Sequence, residues 1–343
     1  MPEQSSGEPG RTGTAMITDS YGRIINYLRL AVTDRCNLRC TYCMPEAGLD
    51  WRSRKELMTY EEMLRICSLL VKMGIEKIRI TGGEPFVRKD VLPFLQNLSL
   101  MNGLQELTLT TNGLLTAPLV PELKRMGIKS VNLSLDTLDK NRFIRIARRD
   151  GLDKVLKTLD ALLADDIAVK INTVVMEHCN ITDIVPLIQL TKTAPVSVRF
   201  IEEMPFNGGT HPVSPAWSYL RILEHIREHF PGIQKITDAP HSTSFNYHIP
   251  GHKGNIGIIA AYTRSFCGSC NRLRVTPTGV LRTCLYDAGT FNLKEIIRGG
   301  CTDEELETMI TNAVLKKPTD GWEAENRLAA QKSAQQSMAT IGG

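Results

Sequence analysis

No stretch of this sequence approaches the ~20 consecutive apolar residues that a membrane-spanning helix requires, so a membrane protein is not expected. Residues 1–15 are polar and rich in Gly, Pro and Ser, and they lack the apolar core of a secretory signal. One Arg and two Glu also make them a poor transit peptide. Residues 1–20 together read as a disordered extension. A large excess of one charge is missing as well: the net charge is +4, which does not predict general nucleic-acid binding. No Walker A sequence occurs, so any nucleotide must be held by other means. The cysteines do not suit a disulfide framework, because there are nine in a chain of 343 residues and six fall into two metal-like groups. The expected compartment is the reducing cytoplasm.

The first group is Cys36, Cys40 and Cys43, spaced Cys-x3-Cys-x2-Cys. Three thiolates are one too few for a closed tetrahedral site. They suit a cubane iron–sulfur cluster with one open iron. An open iron can hold a small cofactor, and S-adenosylmethionine is the one this spacing suggests. Its reductive cleavage gives a carbon radical, so the protein need supply only orientation and a dry cavity. The second group is Cys267, Cys270 and Cys284, again three ligands without a fourth at ribbon spacing. Zinc is the alternative at both groups, and at the second Cys301 could complete a four-thiolate site. Cys67 lies in an apolar-periodic stretch and reads as core.

Short apolar strands alternate with amphipathic helices from about Tyr27 to Met204. Six strand–helix units predict a parallel sheet with crossover helices, either a partial barrel or a doubly wound sheet. The polar positions favour a barrel with a working lumen. Arg29, Lys77, Arg79, Lys170 and Arg199 each alternate with apolar neighbours. Period-two alternation aims them at one face, while the other face packs on helices. Buried cations without anions are costly, and an anionic ligand such as a polyphosphate would resolve that cost. Strand ends carry TGGEP, TTNG and SLD turns, and such C-terminal ends form the active face of α/β barrels. Gly82 and Gly83 allow close approach of a ligand. Residues 205–343 form a second region, expected to pack across the barrel mouth.

Two further patterns carry less. His225-x-x-Glu228-His229 matches an inverted zinc-protease motif, but no third ligand is evident and the helix is richly charged. Gly251, Gly254 and Gly257 precede a strand-like run rather than a helix, which reads as a turn and not as a nucleotide loop.

TDRCNLRCTYCMP, RITGGEP, TTNG, VNLSLD, RFIEEMP, FCGSCNRLRVTPTGVLRTCL and the terminal MATIGG together resemble the GTP 3′,8-cyclase family of radical S-adenosylmethionine enzymes. The resemblance extends from about residue 20 to the end. It implies a partial (βα)6 TIM-like barrel with a C-terminal iron–sulfur region closing its mouth. It implies two [4Fe-4S] clusters, one on Cys36, Cys40 and Cys43 that binds S-adenosylmethionine, and one on Cys267, Cys270 and Cys284 that binds the guanine of GTP. Tyr42, Gly83, Ser134 and Met204 match cofactor contacts. Arg29, Arg79, Thr110, Lys170, Arg272 and Arg274 match positions around GTP, with Lys77 and Arg199 as further cationic lining. Gly342 and Gly343 would thread into the active site. The implied reaction is cyclisation of GTP at ribose C3′ and guanine C8, opening molybdenum cofactor biosynthesis. The implied partners are a low-potential electron donor and a cyclic pyranopterin phosphate synthase that takes the product; a homodimer is left open. The competing reading is another two-cluster radical enzyme, such as a peptide-modifying maturase. IARRDG at 146–151 departs from the family pattern and is expected to affect only local loop contacts.

Overall fold

The computed structural model describes residues 16–206, 215–329 and 337–342. The six expected strands form as β1 (Tyr27–Ala31), β2 (Lys77–Thr81), β3 (Glu106–Thr111), β4 (Ser130–Ser134), β5 (Ala168–Val175) and β6 (Ser197–Glu202). They pair in chain order, all parallel. Leu28, Leu30, Ile78, Ile80, Leu109 and Leu133 are fully buried on the face that meets the helices. This face supplies the apolar half of the alternation, and burying it drives the helices onto the sheet. Helix Tyr60–Lys72 carries Cys67 into that core, as expected, and begins with a Thr59–Glu62 capping box.

The C-terminal region is not a separate cover. It adds β7 (Gln234–Lys235), β8 (Phe245–His248), β9 (Asn255–Ile259), β10 (Arg272–Val275), β11 (Val280–Arg282) and β12 (Phe291–Asn292) to the same sheet. The strand order is β12-β11-β10-β1-β2-β3-β4-β5-β6-β9-β8-β7. β9 extends the parallel set beside β6 and β10 extends it beside β1. Among the described residues the sheet stays open, with β12 and β7 as its edges. It is nevertheless strongly curved, because Arg272 of β10 and Ile259 of β9, from opposite sides of the parallel set, line one cavity.

Three expectations change here. Residues 16–20 belong to the fold: Ile17 and Asp19 are buried and Thr18 bridges Ile24. Residues 1–15 lie outside the description. The second cysteine group does not sit at the C-terminal mouth. Cys267 and Cys270 precede β10, whose Arg272 is level with Tyr27 at the start of β1, so they lie at the N-terminal strand ends. Cys284 reaches the same end because β11 runs antiparallel to β10. Finally, Lys140–Ala147 is a helix that the alternation did not reveal, capped by Asp139, which accepts from Arg142 N–H at 2.7 Å.

Candidate active site

The first cysteine loop leaves β1 at its C-terminal end and lies on the TGGEP turn. Gly83 N–H donates to Thr33 O and Glu84 N–H to Arg35 O, both at 2.8 Å. A Cβ on Gly82 would fall 2.4 Å from Thr33 O, and one on Gly83 2.3 Å from Arg35 O. Only glycine permits this approach. The backbone that comes close is the cysteine loop itself, and both glycines also line the cavity beside it. The buried Glu84 carboxylate accepts from Asn112 N–H at 2.7 Å and Thr111 Oγ1 at 2.9 Å. Burial raises it to about 7, against those hydrogen bonds. Asn112 Nδ2 then donates to Asn37 Oδ1 at 2.7 Å and stands 3.6 Å from Cys36 Sγ. TGGEP and TTNG therefore fix the loop rather than merely turn the chain.

The other side of the loop rests on helix Lys140–Ala147. Arg39 N–H donates to Ala147 O at 2.9 Å and Thr41 N–H to Ile146 O at 3.0 Å. Arg148 Nη1 reaches Arg39 O at 3.3 Å and Met44 O at 3.1 Å. The loop contacts of the atypical IARRDG segment are thus to Arg39, Thr41 and Met44, beside the cysteines and not to them.

Cys36, Cys40 and Cys43 line one cavity with Tyr42, Gly83, Ser134 and Met204. Tyr42 Oη donates to Asp136 Oδ2 at 2.9 Å, and Val174 N–H donates to Asp136 Oδ1 at 2.9 Å. Burial raises Asp136 to about 6. The same cause raises Cys36 to about 11 and Cys43 to about 12. Burial and Asp136 also raise Cys40 well above the ordinary thiol range. All nine cysteines are free thiols.

A second cavity lies deeper along the strands and holds the cations. Arg29 is level with Arg79 on β2 and Arg274 on β10. Lys77, Lys170, Arg199 and Arg272 line the same space. Burial and the neighbouring guanidinium of Arg274 lower Arg29 to about 9. Burial and Arg199 lower Lys170 to about 8. Arg199 and Arg274 are each lowered to about 10, burial being the first cause. Lys77 is paired with Glu106 at 2.6 Å, and Arg79 Nε donates to Tyr27 Oη at 2.5 Å. Against burial, Arg79, Arg29 and Lys77 hold the Tyr27 phenol down at about 8. Arg29 Nε, Arg79 Nη1, Arg199 Nε and Thr110 Oγ1 are buried without a partner, a strained arrangement that an anionic ligand would relieve. Arg29, Asn172, Ile201, Met204 and Met338 line both cavities, so the two adjoin.

Cys267, Cys270 and Cys284 do not line this space themselves, but their neighbours Phe266, Asn271, Arg272 and Leu285 do. Cys284 N–H and the Thr283 hydroxyl donate to Asp287 Oδ2 at 2.8 and 3.0 Å. Burial would raise the Cys270 thiol, but Arg272 and Lys317 outweigh it and hold the group at about 6. Cys301 lies instead at the start of helix Asp303–Leu315, its carbonyl accepting from Arg65 at 2.8 Å, and it joins no metal-ligating group among the described residues. The chain end returns to the first loop: Ser337 Oγ donates to Cys43 O, and Met338 and Ala339 line the first cavity. Gly342 O accepts from Thr81 Oγ1 at 3.1 Å. Gly343 lies outside the described residues.

Two family descriptions match: the radical SAM superfamily over residues 30–191, and molybdenum cofactor synthesis C over residues 196–322. The chain is 40% identical to a GTP 3′,8-cyclase of Peptoclostridium acidaminophilum, over 96% of this chain and 99% of that one. It is 39% identical to the mitochondrial GTP 3′,8-cyclase of Arabidopsis thaliana, over 96% and 84% respectively. The chain belongs to the GTP 3′,8-cyclase family. It is also 42% identical to molybdenum cofactor biosynthesis protein 1 of Dictyostelium discoideum, but spans only 49% of that protein, and about half of the animal relatives. Its fold resembles that of Streptococcus suis SuiB bound to S-adenosylmethionine, with a TM-score of 0.63 at 15% identity, over 94% of this chain and 77% of that one.

For a member of the GTP 3′,8-cyclase family, the donor sets fit clusters better than single ions. Tetrahedral zinc holds its sulfurs roughly 3.8 Å apart. Among the described residues, only His225, Glu228 and His229 bring three metal-ligating atoms within 4.8 Å of one another. Neither cysteine trio is that tight, whereas a cubane spreads its thiolates more widely. The histidine motif lies on helix Tyr219–His229 and lines neither cavity. Asp136, Glu84, Asn112 and Tyr27 escaped the sequence reading as site residues. Three of them stood in the SLD, TGGEP and TTNG turns, whose strand-end position was the available signal.

Proposed function

We propose that this chain cyclises GTP to (8S)-3′,8-cyclo-7,8-dihydroguanosine 5′-triphosphate, as a lyase acting in the first step of molybdenum cofactor biosynthesis. One observation carries the reading: a cation-lined lumen, in which Arg29 Nε, Arg79 Nη1 and Arg199 Nε are buried without a partner, adjoins the cavity of the first cysteine trio. A [4Fe-4S] cluster with S-adenosylmethionine supplies, when bound, a radical able to abstract a ribose hydrogen. Cys36, Cys40 and Cys43 would hold that cluster, and Tyr42, Gly83, Ser134 and Met204 would hold the cofactor beside it. Asp136 fixes Tyr42 through its phenol. Cys267, Cys270 and Cys284 would hold a second [4Fe-4S] cluster facing the guanine. Arg29, Arg79, Lys170, Arg199, Arg272 and Arg274 would grip the triphosphate, since guanidinium and ammonium groups in a dry cavity favour a polyanion strongly. Thr110 offers a hydroxyl between the two ends, and Lys77 adds charge at the N-terminal side. Gly342 and Gly343 would close the lumen from above.

The reading brings partners. A low-potential electron donor must reduce the first cluster, and a cyclic pyranopterin phosphate synthase would take the product. No helix among the described residues is long and apolar enough to cross a membrane, and free cysteines support a reducing cytoplasmic setting. The test is anaerobic incubation of reconstituted protein with GTP, S-adenosylmethionine and a strong reductant. Mass spectrometry should find the cyclised triphosphate and 5′-deoxyadenosine in comparable yield. Cofactor cleavage with no change in GTP would sink the proposal.

A further inference from the structure

We infer that Lys317 is a positioning and charge-balancing residue of the second cysteine site, whose ammonium raises the reduction potential of the cluster held there. Lys317 is buried, and its partners are a thiol and two carbonyls with no carboxylate among them. Its Nζ stands 3.7 Å from Cys270 Sγ, donates to Arg272 O at 3.1 Å, and also donates to Thr283 O. Arg272 opens the strand that follows Cys270 and Thr283 immediately precedes Cys284, so one ammonium ties both cysteine-bearing segments together. A buried ammonium without an anion is strongly unfavourable. Three thiolates on an oxidised cubane leave a net negative charge, which supplies the missing anion. Lys317 does not line the cation cavity, so its charge is not directed at substrate.

A clamp keeps it there. Arg23 donates to Pro318 O at 2.6 Å, to Thr319 O at 2.7 Å and to Cys267 O at 3.2 Å. Arg23 is itself held by the buried Asp19 carboxylate at 2.5 Å. The backbone just after Lys317 is thereby tied to the loop carrying Cys267. Net charge and hydrogen bonds to sulfur are the protein's levers on cluster potential. A fixed cation favours the reduced, more negative state.

The inference rests on the reading that the second trio holds a cluster, and iron and sulfide analysis of the unsubstituted chain tests that reading separately. The test itself is an EPR-monitored redox titration of the full chain carrying Cys36→Ser, Cys40→Ser and Cys43→Ser, so that only the second cluster responds. Lys317→Met should lower the reduced-to-oxidised ratio at fixed potential at least tenfold, a midpoint drop of ~59 mV for one electron. Lys317→Arg should stay near the unsubstituted value. A Lys317→Met chain with full iron and an unchanged midpoint overturns the inference. If Lys317→Met assembles no cluster, restoration by Lys317→Arg supports the need for a cation. Failure of both variants, with the first cluster of the otherwise native chain intact, overturns it in favour of a purely steric role.

Discussion

Arg274 reaches the carbonyl oxygen of Gly342 at 3.4 Å. This contact joins the end of the chain to the cation array. The adjoining residues Ser337 and Ala339 lower the Cys43 thiol by hydrogen bonding, against burial. The tail is therefore tied both to the first cysteine loop and to the cation array.

The tail prediction follows. Gly342 has φ +85°, and an added Cβ would fall 2.9 Å from Ala31 Cβ. Deleting Gly342 and Gly343 should leave iron content and 5′-deoxyadenosine formation largely intact. Formation of the cyclised nucleotide should fall at least ~100-fold, or roughly 2.7 kcal/mol of transition-state stabilisation. Gly342→Ala should also be damaging. Wild-type turnover by the truncated protein would contradict a role for the tail.

The cysteine trios should divide their labour. Reconstitution of the native chain should yield about eight irons for two cubanes. Cys40→Ala should lose half of that iron and all cofactor cleavage. Cys284→Ala should retain some uncoupled cleavage but make no cyclised product. Normal product yield from Cys284→Ala, measured by chromatography, would rule the division out.

The lumen cations should discriminate by phosphate. Arg29→Ala, Lys170→Ala and Arg274→Ala should each weaken GTP binding by ~10- to 100-fold, or about 1.4–2.7 kcal/mol, and guanosine binding by much less. Calorimetry with both ligands checks this. Equal losses would assign these residues to the nucleoside or to folding.

Gly83→Ala should act on one trio alone. Its Cβ would meet Arg35 O at 2.3 Å and displace the first cysteine loop. We expect the first cluster to be lost while the second assembles normally. EPR of the reduced variant distinguishes this outcome from general misfolding, which would remove both signals.

Asp136 sets a pH dependence of stability in the cluster-free protein. Its folded value of about 6 lies above the ordinary 3.8. The folded state then binds the proton more tightly, so stability is fully present below about pH 4. It declines as pH rises through about 6. Asp136→Asn should flatten this decline and be more stable than wild type near pH 7, by an amount on the order of 2 kcal/mol. Melting curves between pH 4 and 7 measure it. Parallel curves for the two proteins would show that Asp136 is not the group responsible.

Much of the molecule was legible before any coordinates. β1 to β6 were readable because each strand buries one face under helices, and that burial imposes apolar residues at every second position. The departures, Arg29, Arg79, Lys170 and Arg199, marked the lumen for the same reason. Both cysteine trios stood out because their spacing is visible along the chain. The sequence alone did not reveal that β9 and β10 join opposite sides of the parallel set, since strand pairing depends on contacts distant along the chain. That pairing sends Cys267, Cys270 and Cys284 to the N-terminal strand ends and stretches the site between two trios. Nor did local pattern disclose why TGGEP needs its glycines, because the backbone they accommodate belongs to residues 33–35. No local pattern singles out Arg23 or Lys317 in its own segment. Only tertiary packing buries them against Cys267 and Cys270, where the low dielectric of the interior strengthens their contacts with the segments that carry those cysteines.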